Sequence, residues 1–245
     1  MKIKQAMRYQ LYAFVRQAVI YYAAVLGIFL IVTIIAAILG DRSAIMGGGD
    51  FSTSIFLLIV GMNAFKSHLQ LFVQNGLSRR TLFTGFILSA LLLSFGAMVV
   101  DSLYPYLFPL LQRSSMVHTM YRLDNSFGNT LIASLWTALF YFGAMCTGFF
   151  ITVLYYRMNK LLKVLVSAGV PILFFIVIPI VEVMVPSFHF YTVLLRFIGW
   201  CLGLNYDNLL GGLNKVRPLL SFAVFSTALS GLSFLLLRRA TFKEA

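Results

Sequence analysis

The chain has 245 residues, of which 60% are hydrophobic and 11% are charged, and its mean hydropathy is +0.92. So few polar side chains cannot cover the surface of a soluble globule, which excludes an ordinary soluble domain. The formal net charge of +12 would favour a nucleic-acid partner on a soluble protein. Here the basic residues stand at the ends of long apolar segments instead, as they do in membrane proteins.

Six apolar segments are long enough, in whole or in part, to cross about 30 Å of hydrocarbon as helices. We therefore predict an all-α polytopic membrane protein whose residues 1–245 form a single transmembrane domain. The predicted spans are 19–39, 51–73, 82–100, 130–155, 164–185 and 218–237.

The segment 1–17, ahead of the first span, has apolar residues at helical spacing on one side and basic residues on the other. This pattern predicts an amphipathic helix in the inner headgroup layer. A solvated leader with chance periodicity is the alternative. A cleaved signal peptide fits less well, because the apolar run 19–39 is longer than the core of a signal sequence.

Residues 74–81, with the sequence QNGLSRRT, form a polar turn between the second and third spans. Asn75-Gly76 is typical of a helix end, because glycine adopts the left-handed conformation without steric cost. Ser78 can cap the helix that follows, and Arg79 and Arg80 favour the cytoplasmic side of the membrane. This turn is the predicted contact site for a cytoplasmic partner.

The third span ends near Asp101, just before a proline-containing stretch that breaks the helix. The outer loop that follows contains His118, which has no metal-spaced partner and is expected to be solvated. The fourth span contains small residues that permit close helix packing, namely Ala133, Thr137, Ala144 and Gly148.

The fifth span contains Pro171 and Pro179, so we expect it to be kinked. The segment 188–213 is too apolar for a free loop and is interrupted by Arg196 and by glycines. We predict a re-entrant or interfacial helical hairpin, since broken backbone at membrane depth must be buried in protein or line a cavity. A seventh full span is the structural alternative, but it would place the basic C-terminus outside.

Glu182 and Arg196 are charges inside apolar stretches at a similar outer depth, where a lone charge is costly. We predict that they pair with each other or through Asp101, and that the pair holds the hairpin against the fifth span. Snorkelling of the side chains to the outer headgroups is an equally consistent alternative.

The charges predict the orientation of the six spans. Thirteen of the 19 basic residues and one acidic residue fall on the side of the N-terminus, whereas six basic and six acidic residues fall on the opposite side. Basic residues favour the cytoplasm, so we expect both termini and the turn 74–81 to be cytoplasmic. This distribution leaves no reason to propose a nucleic-acid partner.

The sequence contains no recognisable catalytic or nucleotide-binding motif. No Lys-Ser or Lys-Thr follows Gly47-Gly48-Gly49, so this stretch is not a phosphate-binding loop. The three histidines and two cysteines show no metal-ligand spacing, and there is no G-x-S-x-G nucleophile. We predict no enzyme activity and no cofactor or metal in this chain.

Taken together, the basic amphipathic N-terminus, the six spans, the turn NGLSRRTLF and the broken apolar hairpin before the last span resemble the permease subunit of an ABC-2 type transporter. The resemblance covers the whole layout, but only Asn75–Thr81 resembles a sequence motif. It is similar to small bacterial permeases that include the exporters of phenol-soluble modulins.

The resemblance implies that the turn is a coupling helix docking on a separate ATP-binding subunit, which would hold ATP and Mg²⁺. It assigns docking to Asn75, Gly76, Ser78, Arg79 and Arg80. It implies an outer hairpin or gate around Arg196, to which Glu182 and Asp101 are added by their predicted pairing. It also implies a dimer with a second or sister permease in the bacterial cell membrane.

The expected substrates are amphipathic peptides or similar membrane-active compounds exported from the cell. No charged residue stands between Ile55 and Phe65 or between Leu82 and Val100, so such walls would offer a hydrophilic solute no replacement for its hydration. The alternatives are a multidrug or bacteriocin-immunity permease, or a membrane sensor or immunity protein without transport activity.

Overall fold

A computed structural model describes residues 2–39, 49–74, 76, 78–107, 127–184, 189–204 and 216–238. Asn75, the glycine-rich loop 40–48, the outer loop with His118 and residues 205–213 of the predicted hairpin lie outside the described residues. Within the described ranges the chain is helical and has no strand, which confirms the predicted all-α class. The helices are α1 (Lys2–Leu39), α2 (Gly49–Gln74), α3 (Arg79–Leu107), α4 (Phe127–Arg157), α5 (Lys160–Ile172), a π-helical segment (Leu173–Val177), α6 (Ile178–Met184), α7 (Phe190–Cys201) and α8 (Arg217–Arg238).

Five stretches of the described residues are long and apolar enough to cross a membrane. In α2 the side chains are described only as far as Phe65, and the apolar stretch Gly49–Phe65 is shorter than these five. The chain therefore has the build of a multi-pass membrane protein, and the count of six spans stays a prediction. The five stretches are Ile3–Val32, Arg79–Leu103, Gly128–Arg157, Lys160–Met184 and Arg217–Arg238.

Helix α1 differs from the prediction of an interfacial helix at 1–17 followed by a separate span at 19–39. It is one continuous helix over Lys2–Leu39, and at about 1.5 Å per residue it extends well beyond the hydrocarbon thickness. The reason lies in its packing, because a buried stripe in its first half faces α3. The stripe consists of Ala6, Gln10, Phe14 and Ala18.

The chain divides into two compact units. Unit 1 contains Met1–Val153 and Phe222–Ala245, and unit 2 contains Leu154–Ser221.

In unit 1, α1 and α3 run parallel to each other. The hydroxyl of Ser89 donates to the carbonyl of Met7 at 3.0 Å, and further along both helices the Tyr22 hydroxyl donates to the Ala97 carbonyl at 3.4 Å. Near the first contact, Oε1 of Gln10 lies over Gly85, where an added Cβ would come within 3.0 Å of it. The missing side chain of Gly85 thus lets the two helices approach.

Helix α8 runs parallel to α4 and antiparallel to α3. Along α4, Gly143 lies against the hydroxyl of Ser226, and the Cys146 thiol lies 3.3 Å from the hydroxyl of Ser230. On the α3 side, the first residue, Arg79, meets Arg238 at the end of α8. The start of α3 and the end of α8 therefore lie at the same end of unit 1.

Helices α2 and α4 cross in close contact. Among the glycines of unit 1, those at this crossing leave the least space for an added Cβ atom. A Cβ on Gly148 would overlap the carbonyl oxygen of Leu58 and lie 2.9 Å from the nitrogen of Met62, and a Cβ on Gly61 would overlap the carbonyl oxygen of Met145. One turn beyond Gly148, the hydroxyl of Thr152 donates to the Met62 carbonyl at 2.9 Å. Small residues let helix backbones touch in this way in membranes, as predicted for Gly148.

We expect Gly148→Ala to lower the stability of the protein in detergent by about 1–3 kcal/mol, because the new methyl group meets backbone atoms that cannot rotate away. Gly96→Ala is the matched control, since nothing lies within 4 Å of the position of its Cβ. The control should be neutral or stabilising by up to about 1 kcal/mol, because alanine favours helix. Thermal unfolding of both variants is the measurement, and equal stability would contradict the crossing.

Candidate functional site

The predicted turn between the second and third spans lies between α2, which ends at Gln74, and α3, which begins at Arg79. Gly76 has a φ of 65°, a left-handed conformation that disfavours residues with a side chain. The Ser78 hydroxyl accepts a hydrogen bond from the backbone N–H of Thr81 at 3.2 Å and contacts the Thr81 hydroxyl at 2.9 Å. Ser78 therefore caps α3, as predicted.

The two arginines that start α3 have different surroundings. Arg79 is partly buried, and its Nη1 donates to the backbone carbonyl of Arg238 at 3.1 Å. Arg80 is exposed, and no hydrogen bond or ion pair engages its guanidinium within the described residues. Sequence reasoning assigned both arginines to the same docking role and did not predict the contact with α8.

A cluster of phenylalanine rings lies directly beneath this turn. Phe86 stacks on Phe149 of α4 with ring centroids 4.1 Å apart. Phe65 of α2 meets the Phe149 ring edge-on, with ring centroids 5.8 Å apart. Phe83 packs against Phe234 of α8 at 5.2 Å, and Phe14 packs against Phe86 at 6.3 Å. The rings join five helices, so the turn stands on a packed base.

The start of α1, the turn and the end of α8 lie at one end of unit 1, which we call the basic end. Ala6 and Met7 lie beside Gly85, about two turns from the start of α3. The exposed basic residues of these elements are Lys4, Arg8, Arg80 and Arg238. These four basic residues, which come from three separate parts of the sequence, are therefore gathered at one end of unit 1.

Asp101 lies near the other end of α3. It follows Arg79 by 22 residues, which is about 33 Å along a helix and close to the thickness of the hydrocarbon. Asp101 is buried, and its Oδ2 accepts a hydrogen bond from the hydroxyl of Tyr141 in α4. Asp50, at the start of α2, is also buried and lies near Tyr141.

The Asp101–Tyr141 hydrogen bond joins α3 to α4 and supplies a donor to the buried carboxylate. The sequence named Asp101 as a bridge through which Glu182 and Arg196 could pair, and its hydrogen bond with Tyr141 was not predicted. A tyrosine in the middle of an apolar span gave no separate signal, because aromatic residues are common throughout this chain.

In unit 2, two prolines and a π-helical segment interrupt the α-helical hydrogen bonding of Lys160–Met184, a pattern typical of kinked helices, and we call this stretch the kinked helix. Pro171 lies within α5, and the π-helical segment follows at Leu173–Val177. There the N–H of Ile178 bonds to the carbonyl of Leu173, five residues earlier. The next residue, Pro179, has no N–H, so the carbonyl of Phe174 has no helical donor in this register.

Tyr191, near the start of α7, supplies the missing donor. Its hydroxyl donates to the carbonyl of Phe174, and its backbone N–H donates to Oε1 of Glu182 at 3.3 Å. This N–H belongs to the first turn of α7, whose amides have no partner within the helix. Tyr191 thus joins α7 to the kinked helix at two points, which we call the Tyr191 clamp.

The Tyr191 clamp gives Glu182 a different partner from the one predicted. Its carboxylate accepts from the N–H of Tyr191, whereas Arg196, five residues further along α7, is exposed. An acidic group at a helix N-terminus is favourable, because it faces unpaired N–H groups and the positive end of the helix dipole. Glu182 still holds the first helix of the predicted hairpin against the kinked helix.

Side chains that could bind a metal ion are not gathered at one point among the described residues. Within these residues no three His, Cys, Asp or Glu side chains lie where they could hold one metal ion. Cys146 and Cys201 are both free thiols. At the start of α8, the guanidinium of Arg217 lies 5.8 Å from the ring centre of Trp200, within the distance of a cation–π contact.

Comparison of the chain with protein-family models, with curated proteins and with solved structures finds no significant match.

We expect Tyr191→Phe to destabilise the protein by about 1 kcal/mol, because it leaves the Phe174 carbonyl without a donor in an apolar setting. In a Pro179→Ala background the same change should cost less, since residue 179 then has an N–H that can bond to that carbonyl. The measurement is a double-mutant cycle on thermal unfolding.

Tyr155→Phe is the control for the loss of a hydroxyl in unit 2. The Tyr155 hydroxyl makes an exposed 2.8 Å contact with the hydroxyl of Ser167, so its removal should change stability by less than about 0.5 kcal/mol. An equal cost of Tyr191→Phe in both backgrounds would show that the hydroxyl does not serve the carbonyl exposed by Pro179.

Proposed function

We propose that this chain is the permease subunit of an ATP-driven ABC-2 type exporter in the bacterial cell membrane. The observation that carries the proposal is the turn between α2 and α3, which is capped by Ser78, closed by Gly76 and followed by the exposed Arg80. It stands on a packed aromatic base at the basic end of unit 1. These are the properties required of a rigid surface that a cytoplasmic subunit could push or pull.

The helix directions in unit 1 support a six-span arrangement with both termini in the cytoplasm. Helices α1 and α3 run one way, whereas α4 and α8 run the other way. In a six-span protein whose spans alternate in direction, α1 and α3 are the first and third spans, and α4 and α8 are the fourth and sixth, so these directions are expected. With a seventh span before α8, the last helix would instead run in the same direction as α1 and α3. The positive-inside rule then orients the basic end toward the cytoplasm.

The short helix α7 supports the proposed outer hairpin. Its 12 residues extend about 18 Å, too short to cross the hydrocarbon. The Tyr191 clamp returns α7 to the end of the kinked helix. A short helix held at the end of a span suits the proposed cap over a transport pathway, with Glu182 at the first turn of α7 and the exposed Arg196 further along it.

The energy source of the proposed exporter is a separate subunit. This chain has no phosphate-binding loop, so ATP and Mg²⁺ would be bound by an ABC ATP-binding partner. The complete exporter would combine this chain with a second copy, or with a sister permease, and with the ATP-binding subunits.

The proposed substrates are amphipathic peptides or similar membrane-active compounds. Leu88, Leu92, Phe95 and Val99 form an exposed apolar face along α3. Such a face can contact the apolar side of an amphipathic molecule, whereas a sugar or a charged metabolite would lose its hydration there without compensation.

We expect an ABC ATP-binding subunit to co-purify with the tagged chain from its native membrane. In proteoliposomes containing both, a synthetic amphipathic helical peptide of roughly 20 residues should stimulate ATP hydrolysis, whereas a neutral sugar should not. The complex with a catalytically inactive ATP-binding subunit is the control for contaminating hydrolysis. If the folded chain is purified and no ATP-binding subunit is found with it, the permease function is contradicted. If only the sugar stimulates ATP hydrolysis, the substrate class is contradicted.

A further inference from the structure

We propose that the adjacent arginines at the start of α3 have separate roles: Arg79 is a positioning residue that fixes the turn to the end of α8, and Arg80 binds acidic groups of the ATP-binding subunit. This inference rests on the proposed function, which treats the two arginines as one docking pair. The structure distinguishes them by their burial and by their hydrogen bonds.

The role of Arg79 follows from the chemistry of a helix end. The last carbonyls of a helix have no N–H partner within it, and they form the negative end of the helix dipole. The guanidinium of Arg79 donates to one of these carbonyls, that of Arg238, at 3.1 Å. An arginine in this position caps α8 from a neighbouring helix.

A second contact keeps the two helix ends in register. Phe83 lies one turn after Arg79 in α3, and Phe234 lies one turn before Arg238 in α8, with ring centroids 5.2 Å apart. The two antiparallel helices are thus joined twice at the basic end, once by a hydrogen bond and once by ring packing. A displacement of the turn is therefore transmitted to the end of α8.

Arg80 points away from this junction. It follows Arg79 by about 100° around the helix, and its side chain is exposed. Its backbone carbonyl accepts from the Thr84 hydroxyl at 2.9 Å. The guanidinium itself makes no hydrogen bond or ion pair within the described residues and is exposed to a partner. Lys4 and Arg8 are exposed at the same end of unit 1, so a partner surface with carboxylate groups is complementary.

The first arm of the test uses the chain alone. We expect Arg79→Ala to lower Tm by roughly 2–4 °C, because the α8 carbonyl loses its donor, whereas Arg80→Ala leaves Tm unchanged. Arg79→Lys should recover most of the loss, because an ammonium group can also donate to a carbonyl. Arg238→Ala is the matched control, since it removes the side chain and keeps the acceptor, and it should leave Tm unchanged.

The second arm uses the complex with the ATP-binding subunit that co-purifies with the unaltered chain. Arg80→Ala should weaken binding of that subunit about tenfold. Arg79→Ala should leave binding within twofold of the unaltered chain, by the same scale, but abolish the stimulation of hydrolysis by the amphipathic peptide. Arg79→Lys should restore that stimulation, as it restores Tm. The retained binding of the ATP-binding subunit by Arg79→Ala separates a positioning role from a general loss of stability, which would weaken binding as well.

Three results would overturn the proposal. Equal weakening of binding by Arg79→Ala and Arg80→Ala, with Tm unchanged in both, would make both arginines docking residues. If Arg80→Ala binds the ATP-binding subunit as the unaltered chain does, but binds vesicles containing anionic lipid more weakly, Arg80 is a membrane anchor. An unchanged Tm in Arg79→Ala would show that Arg79 does not cap α8. This first arm remains decisive even if no ATP-binding subunit is recovered.

Discussion

Inside the hydrocarbon of a bilayer no water is available to a backbone carbonyl, so each polar group that a proline leaves unpaired must find a donor in the protein. The kinked helix of unit 2 shows how this constraint organises the surrounding structure. Pro179 removes the donor for the Phe174 carbonyl, and the hydroxyl of Tyr191 replaces it. The position of α7 follows from that replacement, since Tyr191 also offers its N–H to Glu182.

Helix ends in unit 1 also carry backbone groups that have no partner within the helix. Ser78 satisfies an N–H at the start of α3, and Arg79 satisfies a carbonyl at the end of α8. These two side chains are consecutive in the sequence, so one short segment completes two helices. The start of α3 is consequently joined to the end of α8, and an exposed arginine lies beside this junction.

Much of this arrangement could be predicted from the sequence, because it depends on local chemistry. Asn75-Gly76 and Ser78 indicated the end of one helix and the start of the next, and the length of the apolar segments indicated membrane helices. The small residue Gly148 indicated close packing, although its contact with α2 and the matching role of Gly61 required the structure. Pro171 and Pro179 indicated a kink in the fifth span.

The partners of the polar groups could not be predicted, because they depend on residues far apart in the chain. Arg79 meets a residue 159 positions away, and Asp101 accepts a hydrogen bond from Tyr141 in another helix. Glu182 was expected to need a cation, but a backbone N–H at a helix start satisfies it equally well. The break expected near residue 18 in α1 is absent because the helix packs on α3 along its first half.

The central claim is that the basic end of unit 1 faces the cytoplasm and the Asp101 end faces outward. Labelling of single cysteines by a membrane-impermeant maleimide tests it most directly. The new cysteines are introduced into a background in which Cys146 is replaced by alanine and Cys201 by serine. Arg80→Cys should react in inside-out vesicles and be protected in intact cells, and Ser102→Cys should show the opposite pattern. Reaction of both cysteines from the same side, or Arg80→Cys from outside only, would contradict the account.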